Sequence, residues 1–338
     1  MKKSVLYIGN QLASKGATAT TIDTLSFLFE GEGYTVYTAS SIKNKLFRFV
    51  DMLYATLKYS RKVSVVIMDT YSTQNFYYAV AVSWLCRILK TPYIPILHGG
   101  NLPNRLDKSP SLSKKLFGNA KTNVSPSKYL IEAFKARGFN NVRYIPNSIE
   151  IDAYPFLLRK EISARLLWVR SFAEIYNPML AVALIKRLKE KGIEATLTMV
   201  GPEKYGSLEA CKREAEKYKL PITFTGKLEK HEWIALSTSH DIFINTSNFD
   251  NTPVSLIEAA ALGLPIVSTN VGGIPFLFED RETALLVPPN NVDKMTKAVN
   301  MLLIDSCLAV SITKKARERM ELYDWAKVKG MWLSLLRQ

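Results

Sequence analysis

From Asn245 to Glu258 the chain reads Asn-Thr-Ser-Asn-Phe-Asp-Asn-Thr-Pro-Val-Ser-Leu-Ile-Glu, and it continues to Gly273 as Ala-Ala-Ala-Leu-Gly-Leu-Pro-Ile-Val-Ser-Thr-Asn-Val-Gly-Gly. A strand ending at Asn245 gives way to a polar loop and then a helix. Thr252 is placed to cap that helix and Pro253 to occupy its first turn, where a missing N–H costs nothing. Free N–H groups at Val254 and Ser255 then point at an anion. Glu258, about one turn further in, suits a phosphate site only if it takes something neutral, such as the paired hydroxyls of a ribose. Asp250 can accept hydrogen bonds from further hydroxyls. The same spacing also fits an ordinary capped helix with a solvated Glu258.

His98 follows the apolar run Tyr93–Leu97 and precedes Gly99-Gly100, which puts it at a strand end. It can serve a site or be a satisfied core or loop histidine. The loop Gly9-Asn-Gln-Leu-Ala-Ser-Lys-Gly16 permits close backbone approach at Gly9 and Gly16, with no dinucleotide or phosphate-loop signature. There is no Asp-x-Asp, and His98, His231 and His240 are scattered, as are Cys86, Cys211 and Cys307. No metal site and no cofactor are expected, and the isolated thiols suit a reducing compartment.

The elements that must position these residues are legible as alternating strands and helices. Strand runs are Val5–Ile8, Tyr34–Thr38, Val63–Asp69, Tyr93–Leu97, Lys121–Val124 and Val142–Ile145, then Arg165–Val169, Ala195–Val200, Ile222–Thr225, Asp241–Asn245, Pro265–Ser268 and Ala284–Val287. Helical stretches such as Thr20–Glu30, Gln74–Leu89 and Ser127–Ala136 separate most of them. Two such series in 338 residues predict an α/β protein with two doubly wound parallel sheets, Rossmann-like domains facing a central cleft at the carboxyl ends of their strands. The break from Pro146 to Ser163 divides them, giving domains at 1–150 and 164–320 and a linker at 151–163. Residues 321–338 hold a last helix, with Trp325, Val328, Met331, Trp332 and Leu335 at helical spacing.

Apolar residues at 47% and charged residues at 22% exclude a disordered or fibrous chain. The net charge of +15 is unevenly spread: residues 1–160 hold 22 Lys and Arg against 9 Asp and Glu. Within it, Ile42–Lys62 carries Lys43, Lys45, Arg48, Lys58, Arg61 and Lys62 against Asp51, interleaved with Phe47, Phe49, Val50, Leu53, Tyr54 and Leu57. This is either a crossover helix with a solvated face or a basic amphipathic helix for an anionic membrane. Arg105, Lys108, Lys114, Lys115 and Lys121 form a second basic stretch. No recognition motif supports nucleic-acid binding. The run Val5–Ile8 is too short for a signal core and Phe76–Cys86 too short for a span, so a cytoplasmic protein, peripheral at an inner membrane face, is expected.

The segment from Asp250 to Gly273 resembles glycosyltransferase family 4, the retaining, nucleotide-sugar-dependent enzymes of the GT-B fold. Asp250 stands at the first acidic position of that family's paired glutamates and Glu258 at the second, while Pro253, Ala261–Pro265 and Val271–Gly273 also match. Val200-Gly201-Pro202, Phe224-Thr225-Gly226, Leu286-Val287-Pro288-Pro289, Val124-Ser125 and Ile145-Pro146-Asn147 look similar too, in the family's order. The resemblance implies that Glu258 holds the ribose, Asp250 the donor sugar, and backbone N–H groups at Thr252, Pro253, Val254 and Ser255 the diphosphate. The shorter aspartate bears on the sugar contact, and a proline has no N–H to give. It further implies that His98 contacts the sugar, that Gly16 flanks the diphosphate, with Lys15 a weaker candidate, and that Gly201, Gly226 and Lys227 line the nucleotide side. The final helix is expected to pack back towards the first domain. The family's arginine corresponds to Arg170, displaced by one position, while Tyr176 stands where a lysine is usual, so that either Arg170 serves with another base such as Lys204 or Lys227 or the donor is held mainly by helix N-terminal N–H groups. The implied function is sugar transfer from a nucleotide diphosphate sugar to a glycan or lipid-linked acceptor in cell-surface polysaccharide biosynthesis. A degenerate, non-catalytic nucleotide or membrane binder and a GT-B epimerase are the alternatives.

Overall fold

The computed structural model describes residues 3–12 and 20–337. It divides into two compact units, one built from residues up to 146 together with residues 328–337, the other from residues 147–327.

The first unit holds β1 (Ser4–Ile8), β2 (Thr35–Ala39), β3 (Val65–Thr70), β4 (Tyr93–Leu97), β5 (Asn123–Ser125) and β6 (Val142–Tyr144). All pairings are parallel and the spatial order is β2-β1-β3-β4-β5-β6. The strands β1, β3 and β4 are nearly continuous apolar runs because helices cover both faces of a parallel sheet. Leu6, Ile8, Val66 and Met68 enter one core with Met52, Phe76 and Phe117, while Val5, Tyr7, Val65 and Ile67 are buried on the opposite face. The helix Lys45–Tyr59 starts at Asn44, whose side chain accepts from the Leu46 and Phe47 N–H groups.

The second unit holds β7 (Arg165–Val169), β8 (Thr196–Val200), β9 (Ile222–Gly226), β10 (Ile242–Asn245), β11 (Ile266–Thr269) and β12 (Leu285–Val287), in the parallel order β12-β11-β10-β7-β8-β9. Here the pleat sorts side chains between two cores. Leu166 and Trp168 of β7 and Ile242 and Ile244 of β10 face one, and Leu167 and Phe243 face the other.

The stretch 151–163, expected as a linker, is instead packed into the second unit. Ile151 and Tyr154 belong to its core. Arg159 is buried and donates to the carbonyls of Ser237 at 2.7 Å and Gly263 at 2.9 Å. Burial, opposed by Asp241, brings its guanidinium down to about 10. Prolines and mixed polarity imitate a linker because a charged peg satisfying buried carbonyls has no compositional mark. The helix Trp325–Arg337 returns the chain to the first unit, where the Trp332 ring meets Phe29 edge-on at 5.5 Å and Lys329 pairs with Glu32 at 3.0 Å. Among the described residues no single helix is long and apolar enough to cross a membrane.

Candidate functional site

In doubly wound sheets ligands settle beyond the carboxyl ends of the strands, where the strand order reverses. In the second unit that point lies between β7 and β10. Arg170 is the first residue after β7, and Asp250 lies in the loop after β10. Their side chains form an ion pair. The guanidinium also lies over the Tyr176 ring, 4.7 Å from its centre. Burial opposes the Arg170 charge, but Asp250 and Tyr176 outweigh it and hold the guanidinium above its ordinary pKa. Its Nε is buried without a partner among the described residues.

Both members of the pair rest their backbones on glycine. A Cβ on Gly201 would lie 1.7 Å from the Arg170 carbonyl oxygen. One on Gly272, whose φ is +56°, would lie 2.0 Å from the Asp250 carbonyl oxygen. The Gly201 N–H donates to the Gly226 carbonyl at 2.8 Å, so the ends of β8 and β9 meet beside Arg170.

Beyond the loop runs the helix Val254–Ala261. Its N-cap is Pro253, not Thr252, one residue later than the sequence suggests. A proline ring carries no oxygen to cap with, so the helix has no side-chain cap at its start. The Asn147 amide fixes this loop by donating to the Thr252 carbonyl at 3.4 Å.

Glu258 is buried rather than solvated. Its Oε1 accepts the Tyr154 hydroxyl at 2.7 Å and lies 3.0 Å from the Lys230 ammonium. Burial, then the Glu258 charge, pushes the Tyr154 phenol far above its ordinary pKa, so the phenol keeps its proton and donates. With Oε1 held in place, Oε2 accepts no hydrogen bond from the described residues. Lys227 pairs with Glu229 at 3.0 Å, which leaves Lys230 as the base beside Glu258. Sequence reading missed Tyr154 and Lys230.

In the first unit the order reverses between β1 and β3. Asp69, near the end of β3, accepts through Oδ1 from the Tyr7 hydroxyl at 2.8 Å and from His98 Nε2 at 2.8 Å. An ionised carboxylate only accepts, so His98 donates to it from Nε2. Burial, then Asp69, raises the Tyr7 phenol well above its usual value. The ring of His98 lies 5.5 Å from that of Tyr71. Asp69 Oδ2 is buried without a partner among the described residues, and a small pocket lined by Gly9, Asn10, Met68, Asp69 and Tyr71 lies beside it. A charged residue ending the run Val65-Val-Ile-Met-Asp was the available signal for Asp69. Lys15 and Gly16 lie outside the described residues. Among those residues no three His, Cys, Asp or Glu gather as metal ligands would.

Two six-stranded parallel sheets of this kind, with flanking helices, are the GT-B fold. Residues 155–319, all within the second unit, match the model of the family described as glycosyl transferases group 1. The chain is similar to the sulfoquinovosyl transferase SQD2 of Arabidopsis thaliana, 33% identical over 150 residues, which is 43% of this chain and 28% of that protein. The aligned stretches span between 28% and 47% of the length of the curated relatives that the chain matches. Among solved structures, sucrose-phosphate synthase from Thermosynechococcus elongatus superposes with a TM-score of 0.81 at 18% identity, covering 99% of this chain and 98% of that one. HepE of Anabaena, in complex with UDP and glucose, superposes with a TM-score of 0.78 at 14% identity, covering 99% of both chains.

Proposed function

We propose that this protein transfers a sugar from a nucleotide diphosphate sugar to a hydroxyl of a glycan or lipid-linked acceptor, with retention at the anomeric carbon, in the assembly of a cell-surface polysaccharide. The observation that carries this is the arrangement at the second unit's switch point. An uncapped helix start, a buried glutamate with one oxygen unengaged by the described residues, and an arginine–aspartate pair surround one place. The family match and the nucleotide and sugar held by HepE support it.

In the reaction the bond between the anomeric carbon and the diphosphate oxygen breaks, and a bond from that carbon to the acceptor oxygen forms. The acceptor proton leaves with the diphosphate. Glu258 Oε2 takes the ribose hydroxyls, and the N–H groups of Val254 and Ser255 hold phosphate oxygens at the positive end of the helix. Arg170, with Lys230 nearby, offsets the charge that grows on the leaving group. Asp250 accepts from sugar hydroxyls. His98 is assigned to the sugar on the family resemblance, its ring orientation set by Asp69. No metal or cofactor enters this scheme.

The test is turnover with a panel of UDP-, GDP- and ADP-sugars, followed as release of nucleotide diphosphate and by proton NMR of the product's anomeric signal. Slow donor hydrolysis that Glu258→Ala and Asp250→Ala abolish is expected, with the donor's anomeric configuration kept in the product. Conversion of the donor to an epimer with no nucleotide released, or nucleotide binding with no turnover for any acceptor, would contradict it. The second outcome would favour the non-catalytic binder, a reading supported by the absence of the usual lysine at Tyr176.

A further inference from the structure

The helices Lys45–Tyr59 and Asn75–Ile88 of the first unit pack against each other. Phe49 stacks on Tyr78 at 5.4 Å, and the Tyr78 hydroxyl donates to the Lys45 carbonyl at 3.1 Å. The first helix sends Met52, Ala55 and Thr56 inward and leaves Leu46, Phe47, Val50, Tyr54 and Leu57 each more than half exposed. Leu46, Val50, Tyr54 and Leu57 recur at the spacing of one helical face. On the second helix Tyr77, Trp84 and Ile88 stand out to solvent at the same kind of spacing. Two neighbouring helices therefore present a shared apolar surface that nothing among the described residues covers, a larger feature than scattered surface residues produce.

Exposed bases surround it. Lys43, Lys45, Lys58 and Lys62 come from the first segment and Arg87 and Lys90 from the second. The short helix Pro110–Phe117, with Lys114 and Lys115 exposed, packs on Asn75–Ile88 as well. Arg48 does not contribute, contrary to the count from sequence. It is buried, donating to the carbonyls of Ile42 at 2.7 Å and Lys43 at 2.8 Å and to Asn10 at 3.1 Å, which ties the helix start to the loop after β1.

We infer that this two-helix face docks on an anionic lipid surface, its aromatic and aliphatic side chains entering the interfacial region and its bases meeting the headgroups. The charge selects the occupant. A second copy seated on the same face would bring two sets of bases together, whereas anionic lipid answers both the apolar and the basic parts. A nucleic acid would leave the apolar centre unmatched. The inference is independent of the donor site.

It is tested by sedimenting the full chain with vesicles of phosphatidylcholine and phosphatidylglycerol at about 3:1, and with vesicles of phosphatidylcholine alone. Expected is binding roughly tenfold or more stronger to the anionic vesicles, weakening as salt is raised. The pair Phe47→Ser with Trp84→Ser should lower that binding by about tenfold or more at an unchanged melting temperature, both residues being exposed. Lys58→Ala with Lys62→Ala should remove the preference for anionic lipid. Equal binding to both vesicles, binding to neither, or a dimer in sedimentation velocity that the Phe47 and Trp84 changes dissociate would each overturn it.

Discussion

Arg170 and Asp250 form an ion pair across the point where the second sheet reverses its order, linking the end of β7 to the loop after β10. On the proposed function, the first positive group offered to a diphosphate is thus held by the acidic residue assigned to the sugar. A donor has to share or displace that contact, so the pair fixes both side chains before any ligand arrives.

Asp250→Ala frees a largely enclosed guanidinium from its partner. It should lower stability by about 1–3 kcal/mol and turnover by roughly a hundredfold or more. Asp250→Asn, which keeps the shape, should recover part of the stability and little of the turnover. Melting curves and initial rates on the two variants check this.

Glu258 and Tyr154 are predicted to act on nucleotide affinity. Tyr154→Phe removes the hydroxyl that holds Oε1, costing about 1 kcal/mol of stability and a few-fold in nucleotide affinity. Glu258→Gln should weaken nucleotide binding by about tenfold to a hundredfold. Calorimetry with the free nucleotide diphosphate reads both, and an unchanged affinity in Glu258→Gln would remove the ribose assignment.

Three glycines separate crowding from backbone strain. Gly201→Ala and Gly272→Ala drive a Cβ into the carbonyls of Arg170 and Asp250, and each should cost about 2 kcal/mol or more along with activity. At Gly226, with φ +74° and nothing within 4 Å, alanine meets only the conformational penalty of about 1–2 kcal/mol. Thermal melts that rank Gly226→Ala as the most damaging of the three would contradict the geometry.

His240 gives the second unit an acid-sensitive point. Its ring spans the Leu236 carbonyl at 2.9 Å and the Thr198 hydroxyl at 2.8 Å, and burial lowers its pKa from the ordinary 6.5. The folded state favours the neutral ring, and the unfolded chain takes up the proton first. Its contribution to stability is therefore complete above about 6.5 and lost as pH falls through the lower folded value. Melting temperature should drop from pH 7 to pH 5, and His240→Gln should flatten that part of the slope.

Asp69→Asn replaces an acceptor of the His98 proton with an amide that can donate, disturbing the ring's tautomer. Turnover should fall roughly tenfold or more while nucleotide affinity, a property of the second unit, stays the same. Equal loss of both would argue for a structural role alone.

The sheets were legible because buried parallel strands are written as compact apolar runs. Arg165–Val169 and Tyr93–Leu97 are bounded in the structure as in the sequence, and the other strands shift by a residue or two at one or both ends. The loop and helix around Asp250 and Glu258 were legible for a similar reason: proline and a polar stretch announce a helix start. What remained hidden depends on pairs distant in the chain. Tyr154 reaches Glu258 across 104 positions, out of a stretch whose composition imitates a linker, and Lys230 is one of several bases in a charged turn. Arg48 reads as surface charge until its three backbone and side-chain acceptors are seen.

The central claim, a nucleotide sugar bound at the second unit's switch point, is tested most directly by a thermal-shift panel of UDP, GDP and ADP with their sugars, on the unaltered protein and on Glu258→Ala. One nucleotide family should raise the melting temperature of the unaltered protein, by the equivalent of about 2.7 kcal/mol at a hundred times its dissociation constant. Glu258→Ala should lose most of that rise. No shift with any of them, or an equal shift in the variant, would contradict the account.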